Sequence, residues 1–146
     1  IYLGEADSSC LRWERLPEME DCVFVTRDPL DGVAPPANLF VLDRRFRYPD
    51  LIAAADLVCT KAGYSTLATA FHHGKPVVSC RRDDFCEFRA VKDYLERNRL
   101  GVIADTQTFY DCDWAADIET ARRFTVDGKA PLRGEDAVCE TIRDFL

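Results

Sequence analysis

The sequence lacks the features that mark several large classes of protein. It contains no internal repeat, no low-complexity tract and no charged tail, and no apolar stretch is long enough to cross a membrane as a helix. Positive charge is also in short supply, because the net charge is −7 at pH 7 and the pI is about 4.8. Nucleic acid and anionic membranes would repel such a chain at long range, so we expect no nucleic-acid partner and no transmembrane segment.

The seven cysteines do not follow the pattern of a metal site or a disulfide framework. Their number is odd, no C-x-x-C pair occurs, and most of them lie in or beside apolar segments. These features predict reduced thiols in the core and a cytoplasmic protein. A redox pair between Cys80 and Cys86, which are close in sequence, is the alternative.

The length predicts one domain. A chain of 146 residues with 47% hydrophobic residues can build one core, and it leaves no room for a second domain. It opens with Ile-Tyr-Leu-Gly, which is already a strand and a turn, and no initiator methionine or charged leader precedes them. We therefore expect residues 1–146 to be a single domain cut from a longer protein, without a secretory signal in this piece.

Short apolar runs alternate with helical stretches along the chain. Continuous apolar runs of this length predict strands that are buried on both faces, hence a parallel sheet flanked by helices. The fold class predicted is α/β, with a doubly wound, Rossmann-like and mostly parallel sheet of about six strands. The predicted strands are residues 1–4, 22–25, 39–42, 56–60, 76–80 and 100–103, and the predicted helices include residues 48–55, 88–98, 113–124 and 135–146.

One turn between a strand and a helix carries most of the functional pattern. The apolar run at residues 56–60 is followed by Lys-Ala-Gly-Tyr-Ser, in which Gly63 is free to take a positive φ. A helix should follow, with Ser65 or Thr66 as its N-cap. Such a helix directs backbone N–H groups and a partial positive charge at the crevice of the sheet, so we expect an anionic ligand. Alternatively, these residues only make the turn and cap the helix.

Residues 56–66 (DLVCTKAGYST), with the later Gly-Lys-Pro at 74–76, resemble the donor-binding core of B-fold nucleotide-sugar glycosyltransferases. The resemblance extends over roughly residues 1–105. It is greatest to the C-terminal domain of the group that contains the UDP-N-acetylglucosamine transferase of peptidoglycan synthesis (glycosyltransferase family 28-like). It implies a single nucleotide-sugar-binding domain over residues 1–146, the C-terminal half of a two-domain protein, that transfers sugar from a UDP-sugar to an unidentified acceptor.

The resemblance also implies how the work is divided between the two domains. The general base belongs to the N-terminal, acceptor-binding domain, which is missing here, so no catalytic residue is assigned and the fragment alone is expected to be inactive. No cofactor and no metal are implied, because the UDP-sugar is a substrate and basic groups neutralise its phosphates. The partners implied are therefore a UDP-sugar and the missing domain.

The same resemblance assigns roles to individual residues. The diphosphate would be held by Lys61, Gly63, Tyr64, Ser65 and Thr66. Gly4 would lie beside the phosphates, residues 45–47, which include Arg45 and Phe46, would cover the base, Thr69 would face the ribose, and Arg81, Asp83 and Glu87 would meet the sugar.

Several of these residues have a structural alternative. Gly4 could be a simple turn, and the arginines at 44–47 could pair with Asp43 and Asp50 in a solvated loop. Asp84 or Glu87 could cap the helix at residues 88–98.

Thr69 departs from the family pattern. The family usually carries a glutamate there, which accepts hydrogen bonds from the ribose hydroxyls, and a threonine hydroxyl has neither its charge nor its bidentate reach. Thr69 therefore leaves open an inactive nucleotide-sensing or interaction module of the same fold. A UDP-sugar epimerase domain, which shares the fold, is a further alternative.

Overall fold

The computed structural model describes residues 1–30, 32–126 and 134–144, and it has an α/β fold with parallel strands. One sheet pairs β1 with β2, and a second sheet has the order β3-β4-β5. The strands are β1 (Phe24–Thr26), β2 (Leu39–Val41), β3 (Val58–Thr60), β4 (Val77–Cys80) and β5 (Gly101–Ala104).

Helices fill the connections between these strands. They are α1 (Glu5–Ser8), a 3-10 helix (Trp13–Glu18), α2 (Tyr48–Ala54), α3 (Tyr64–His72), α4 (Phe88–Asn98), α5 (Thr106–Tyr110), α6 (Ala115–Ala121) and α7 (Gly134–Arg143). Among the described residues, no helix has both the length and the apolar character needed to cross a membrane.

The amino-terminal residues lie between the two sheets. The Ile1 nitrogen donates to the carbonyl oxygen of Val25 in β1 at 2.7 Å. On the other side, the Tyr2 N–H donates to the carbonyl oxygen of Cys59 in β3 at 2.9 Å. Tyr2 therefore stands where the β1-β2 pair and the β3-β4-β5 sheet meet, and it forms a parallel bridge with β3.

The prediction of about six strands in one sheet is not met in the described residues, which form five strands in two sheets. Residues 1–4 make a single bridge instead of a strand. The reason is that the N–H groups of Leu3 and Gly4 donate to the carboxylate of Asp28, at 2.9 and 3.1 Å, and not to strand carbonyls. The parallel α/β architecture with flanking helices is as predicted.

The core has two parts, one on each face of the sheet. Neighbouring residues of β4 show this directly, because Val77 packs in one hydrophobic cluster and Val78 in the other, and both are fully buried. Successive side chains of a strand point to opposite faces, so helices must cover both of them. The cluster around Val78 includes Trp13 and Trp114, and the cluster around Val77 includes Leu95.

The closing helix differs from its prediction. The helical spacing of Ala137, Val138, Ile142 and Phe145 predicts a packed face over residues 135–146. In α7, however, Val138 and Ile142 are 57% and 52% exposed. Phe145 lies outside the described residues, as do residues 127–133.

Candidate functional site

The carboxyl ends of parallel strands lie at one edge of a sheet, and the segments that follow them form the candidate site. We call this edge the strand-end rim. It consists of residues 3–4, 27–28, 42–47, 61–63 and 81–87. Each predicted donor-site residue belongs to the rim or to the first two turns of α3 or α4.

The turn after β3 is built differently from its prediction. Ala62, not Gly63, takes the left-handed conformation, with φ of 59°, whereas Gly63 has φ of −66°. The Ala62 methyl group is buried in the core, which holds the residue in a conformation that alanine rarely adopts. The predicted N-caps Ser65 and Thr66 lie within α3, and Gly63 is the N-cap.

Neither backbone conformation nor packing accounts for a glycine at position 63. A Cβ atom added there would meet no heavy atom within 4 Å. Gly63 has no side chain to accept hydrogen bonds from the first N–H groups of α3, and the first turn contains no acidic residue. The start of α3 is thus an open position where a ligand could approach the backbone closely.

Lys61, directly before this position, is ion-paired with Asp7 of α1. The other oxygen of Asp7 accepts a hydrogen bond from the Tyr110 hydroxyl at 3.3 Å. Burial, with the charge of Asp7 second, raises the pKa of Tyr110 to about 12. The lysine ammonium therefore already has a carboxylate partner.

Two of the predicted site residues interact between the two helices. The side chain of Glu87, at the start of α4, raises the pKa of the hydroxyl of Tyr64, the first residue of α3. Arg81 donates through Nε to both carboxylate oxygens of Asp83 at 3.0 Å, and this bond raises the pKa of the guanidinium. Glu87 occupies the N-cap position of α4, but its side chain makes no capping hydrogen bond.

The arginine segment after β2 follows the alternative prediction of local ion pairs. The Arg45 guanidinium contacts the Asp43 carboxylate at 2.6 Å although it is 87% exposed, and Arg47 contacts Asp50 at 2.8 Å. Phe46 between them is about half exposed. A nucleobase placed here would meet an exposed ring between two neutralised charges.

Thr69 lies apart from the rim. Its hydroxyl donates to the carbonyl oxygen of Ser65, one turn earlier in α3, at 2.8 Å. Together with Tyr64 and residues of α4, it lines a cavity of about 720 Å³ between the two helices. Lys61, Gly63 and Arg81 do not line this cavity, so the described structure does not bring Thr69 and the charged candidates to one pocket.

Asp28 was missed in the sequence, where it falls in a proline-rich segment that shows no regular pattern. It is only 5% exposed. One carboxylate oxygen accepts from the N–H groups of Leu3 and Gly4, and the other accepts from the Tyr48 hydroxyl at 2.7 Å. Its position just after a strand, at the carboxyl end, is the signal that could have revealed it.

No family model matches the chain. Its fold does match that of the glycosyltransferase SnogD from Streptomyces nogalater, with a TM-score of 0.57 and 18% sequence identity. The match covers 94% of this chain and 39% of that one. The chain has a glycosyltransferase-like fold.

Among curated proteins, the L-arabinokinase of Arabidopsis thaliana is 33% identical over 86 residues. That stretch is 59% of this chain but only 8% of the kinase. The chain therefore spans less than half the length of SnogD and less than a tenth of the length of the kinase.

Proposed function

We propose that the chain is the donor-binding domain of a glycosyltransferase that takes sugar from a UDP-sugar. The observation that carries the proposal is the open start of α3, where Gly63 is required by neither backbone conformation nor packing. A helix start with uncapped N–H groups and a neighbouring lysine suits a diphosphate. The glycosyltransferase-like fold supports this use of the crevice.

Each rim segment has a role in this proposal. The diphosphate contacts residues 63–66 and Lys61, which exchanges its partner Asp7 for phosphate. Gly4 lies beside the phosphates, and Arg45 and Phe46 cover the base. The ribose lies over Thr69, and the sugar meets Arg81, Asp83 and Glu87. These residues provide binding and orientation only, and a general base from an N-terminal acceptor-binding domain completes the chemistry.

The finer assignments are extensions of the same proposal. They are the group that contains the UDP-N-acetylglucosamine transferase, a two-domain protein, a cytoplasmic location and the absence of any metal or cofactor. The name L-arabinokinase adds a pentose to the sugars that we would screen as donors.

One observation favours a second candidate, a nucleotide sensor or interaction module of the same fold. The three cationic side chains proposed to meet the ligand, Lys61, Arg45 and Arg81, each carry a carboxylate partner of their own. An anion must compete with those partners, so its affinity would be low. A low affinity suits a sensor of an abundant nucleotide as well as it suits a transferase.

The decisive variant is Gly63→Val, measured by calorimetry with UDP. The open space around Gly63 accepts the new side chain, so we expect the domain to stay folded and UDP binding to weaken at least about tenfold. Ala115→Val is the matched control, because Ala115 is an exposed residue at the first position of α6 and belongs to none of the rim segments. If Gly63→Val left the UDP affinity unchanged, the proposed site would be wrong. If residues 1–146 alone turned over a UDP-sugar, the proposal that a separate acceptor-binding domain supplies the general base would be wrong.

A further inference from the structure

We propose that Asp28 is a positioning residue that fixes the spacing between the phosphate side and the base side of the nucleotide site. This inference rests on the proposed function. Asp28 touches neither side of the ligand itself. It acts through the two rim segments that it joins, the turn at Gly4 and the residues that lead into α2.

Asp28 holds both segments at once. Through Oδ2 it accepts hydrogen bonds from Leu3 N–H at 2.9 Å and Gly4 N–H at 3.1 Å. Through Oδ1 it accepts from the Tyr48 hydroxyl at 2.7 Å. We call this set of contacts the Asp28 clamp. The Asp28 carboxylate is 5% exposed and has a partner on each oxygen. Its position is therefore well defined, because breaking either contact would leave a buried oxygen without a hydrogen-bond partner.

The backbone at Asp28 is itself held in place. The hydroxyl of Thr26, at the end of β1, accepts a hydrogen bond from the Asp28 N–H at 3.0 Å. Thr26 is fully buried, so this contact ties the clamp to the sheet. The clamp therefore connects strand β1 to the turn at Gly4 and to the start of α2.

Tyr48 is fixed from several directions. Its ring stacks on Tyr2, with centroids 3.7 Å apart, and the Arg27 guanidinium lies 4.7 Å from its centroid. Tyr48 is the first residue of α2, so it directly follows the segment proposed to cover the base. At the other end of the clamp, Gly4 has φ of 88° and open space around it, which leaves room for a phosphate.

A ligand that spans both segments gains from this fixed spacing, since the distance between the two segments needs no adjustment when the ligand binds. A fragment that contacts one segment alone gains nothing. The clamp should therefore affect UDP but leave pyrophosphate and uridine almost unaffected. A residue that only stabilised the fold would change all three affinities together.

Three variants separate the arms of the clamp. Asp28→Ala removes it. Tyr48→Phe removes only the contact to α2. Asp28→Asn can preserve both contacts, because its amide oxygen can accept from the two N–H groups while its NH₂ group donates to the Tyr48 oxygen.

The test measures the affinities of UDP, pyrophosphate and uridine by competition with a fluorescent UDP analogue. For Asp28→Ala and Tyr48→Phe we expect about 5- to 20-fold weaker UDP binding, with changes under about twofold for the two fragments. Asp28→Asn should remain within about threefold of the wild type. If Asp28→Ala does not fold, Tyr48→Phe provides the same comparison.

The outcomes distinguish the inference from the proposed function. If the wild type binds UDP but both clamp variants bind it equally well, the inference fails and the proposed function stands. Equal losses for UDP, pyrophosphate and uridine would also overturn it, because they would show a general loss of structure. If the wild type binds no UDP, both fail.

Discussion

Lys61 and Asp7 form an ion pair across the crevice between the turn after β3 and helix α1. The two residues are 54 positions apart in the sequence, and both side chains are about one-third exposed. The pair neutralises the Lys61 ammonium, which lies just before the start of α3 in the sequence. A phosphate that binds Lys61 has to compete with Asp7.

Asp7→Asn should therefore tighten UDP binding. The substitution frees the Lys61 ammonium and removes a negative charge from the crevice, and a partly exposed ion pair contributes about 0.2–1 kcal/mol, or up to about fivefold in affinity. Calorimetry at low salt would measure the change, and added salt should reduce it. Glu119→Gln is the matched control, because it removes a negative charge from an exposed pair on α6. An equal effect of both substitutions would contradict a role for Asp7 at the site.

Thr69→Glu tests where the ribose lies. A hydrogen bond to a charged group contributes about 1.5–3 kcal/mol, so a glutamate that reaches the ribose should tighten UDP about 10- to 100-fold. The uncharged control Thr69→Gln should gain less, and so should 2′-deoxy-UDP with the glutamate variant. A correctly folded Thr69→Glu domain with unchanged or weaker UDP binding would show that the ribose does not lie over α3, and it would favour the sensor.

The strands and helices were largely predictable because buried segments appear in the sequence as runs or periodic patterns of apolar residues. Helix α4 has the predicted bounds, and the run at residues 76–80 contains β4, whose four residues are all buried. The run at residues 39–42 contains β2, but Phe40 and Val41 are exposed, so the predicted burial on both faces is wrong for this strand. Strands covered on both faces need several consecutive apolar residues, which are visible without any tertiary information. The prediction of a first strand failed because the N–H groups of Leu3 and Gly4 donate to Asp28, a residue more than twenty positions away.

The site was less predictable because several of its contacts join residues that are far apart in the sequence. Pairs close in sequence, such as Arg45 with Asp43, could be anticipated as an alternative. The Lys61–Asp7 pair and the Asp28 clamp join residues that only folding brings together. The positive φ at Ala62 could not be predicted either. The sequence points to Gly63 for that conformation, whereas the structure gives it to Ala62, whose methyl group is buried in the core.

Gly101 should not tolerate a side chain. It lies opposite Val77 in the β4–β5 pair, and an added Cβ would overlap the Val77 side chain and lie 2.6 Å from its carbonyl oxygen. Because that oxygen is part of the backbone, Gly101→Ala should cost about 1–3 kcal/mol of unfolding free energy. Urea denaturation would measure it. Gly63→Ala is the comparison and should cost less than about 1 kcal/mol, since only an N-cap is changed. Equal costs would contradict the packing described at Gly101.

Thiol labelling tests the burial of the cysteines. Burial raises the pKa of Cys59 and of Cys112 to about 12 and that of Cys80 to about 11, so these thiols are both shielded and protonated at pH 8. Mass spectrometry after brief alkylation should find Cys10, Cys86 and Cys139 modified first, because they are exposed. The three buried thiols should react only in denaturant. Early labelling of Cys59 in the native domain would contradict the core.

The most direct test of the account is an amide chemical-shift titration of the domain with UDP. If the diphosphate binds at the start of α3, the signals of residues 61–66 and 81–87 should move together and saturate at one dissociation constant. In Gly63→Val the same signals should need at least about tenfold more UDP to move as far. Movement confined to α6 and α7, or no movement at all in the wild type, would contradict the proposed site.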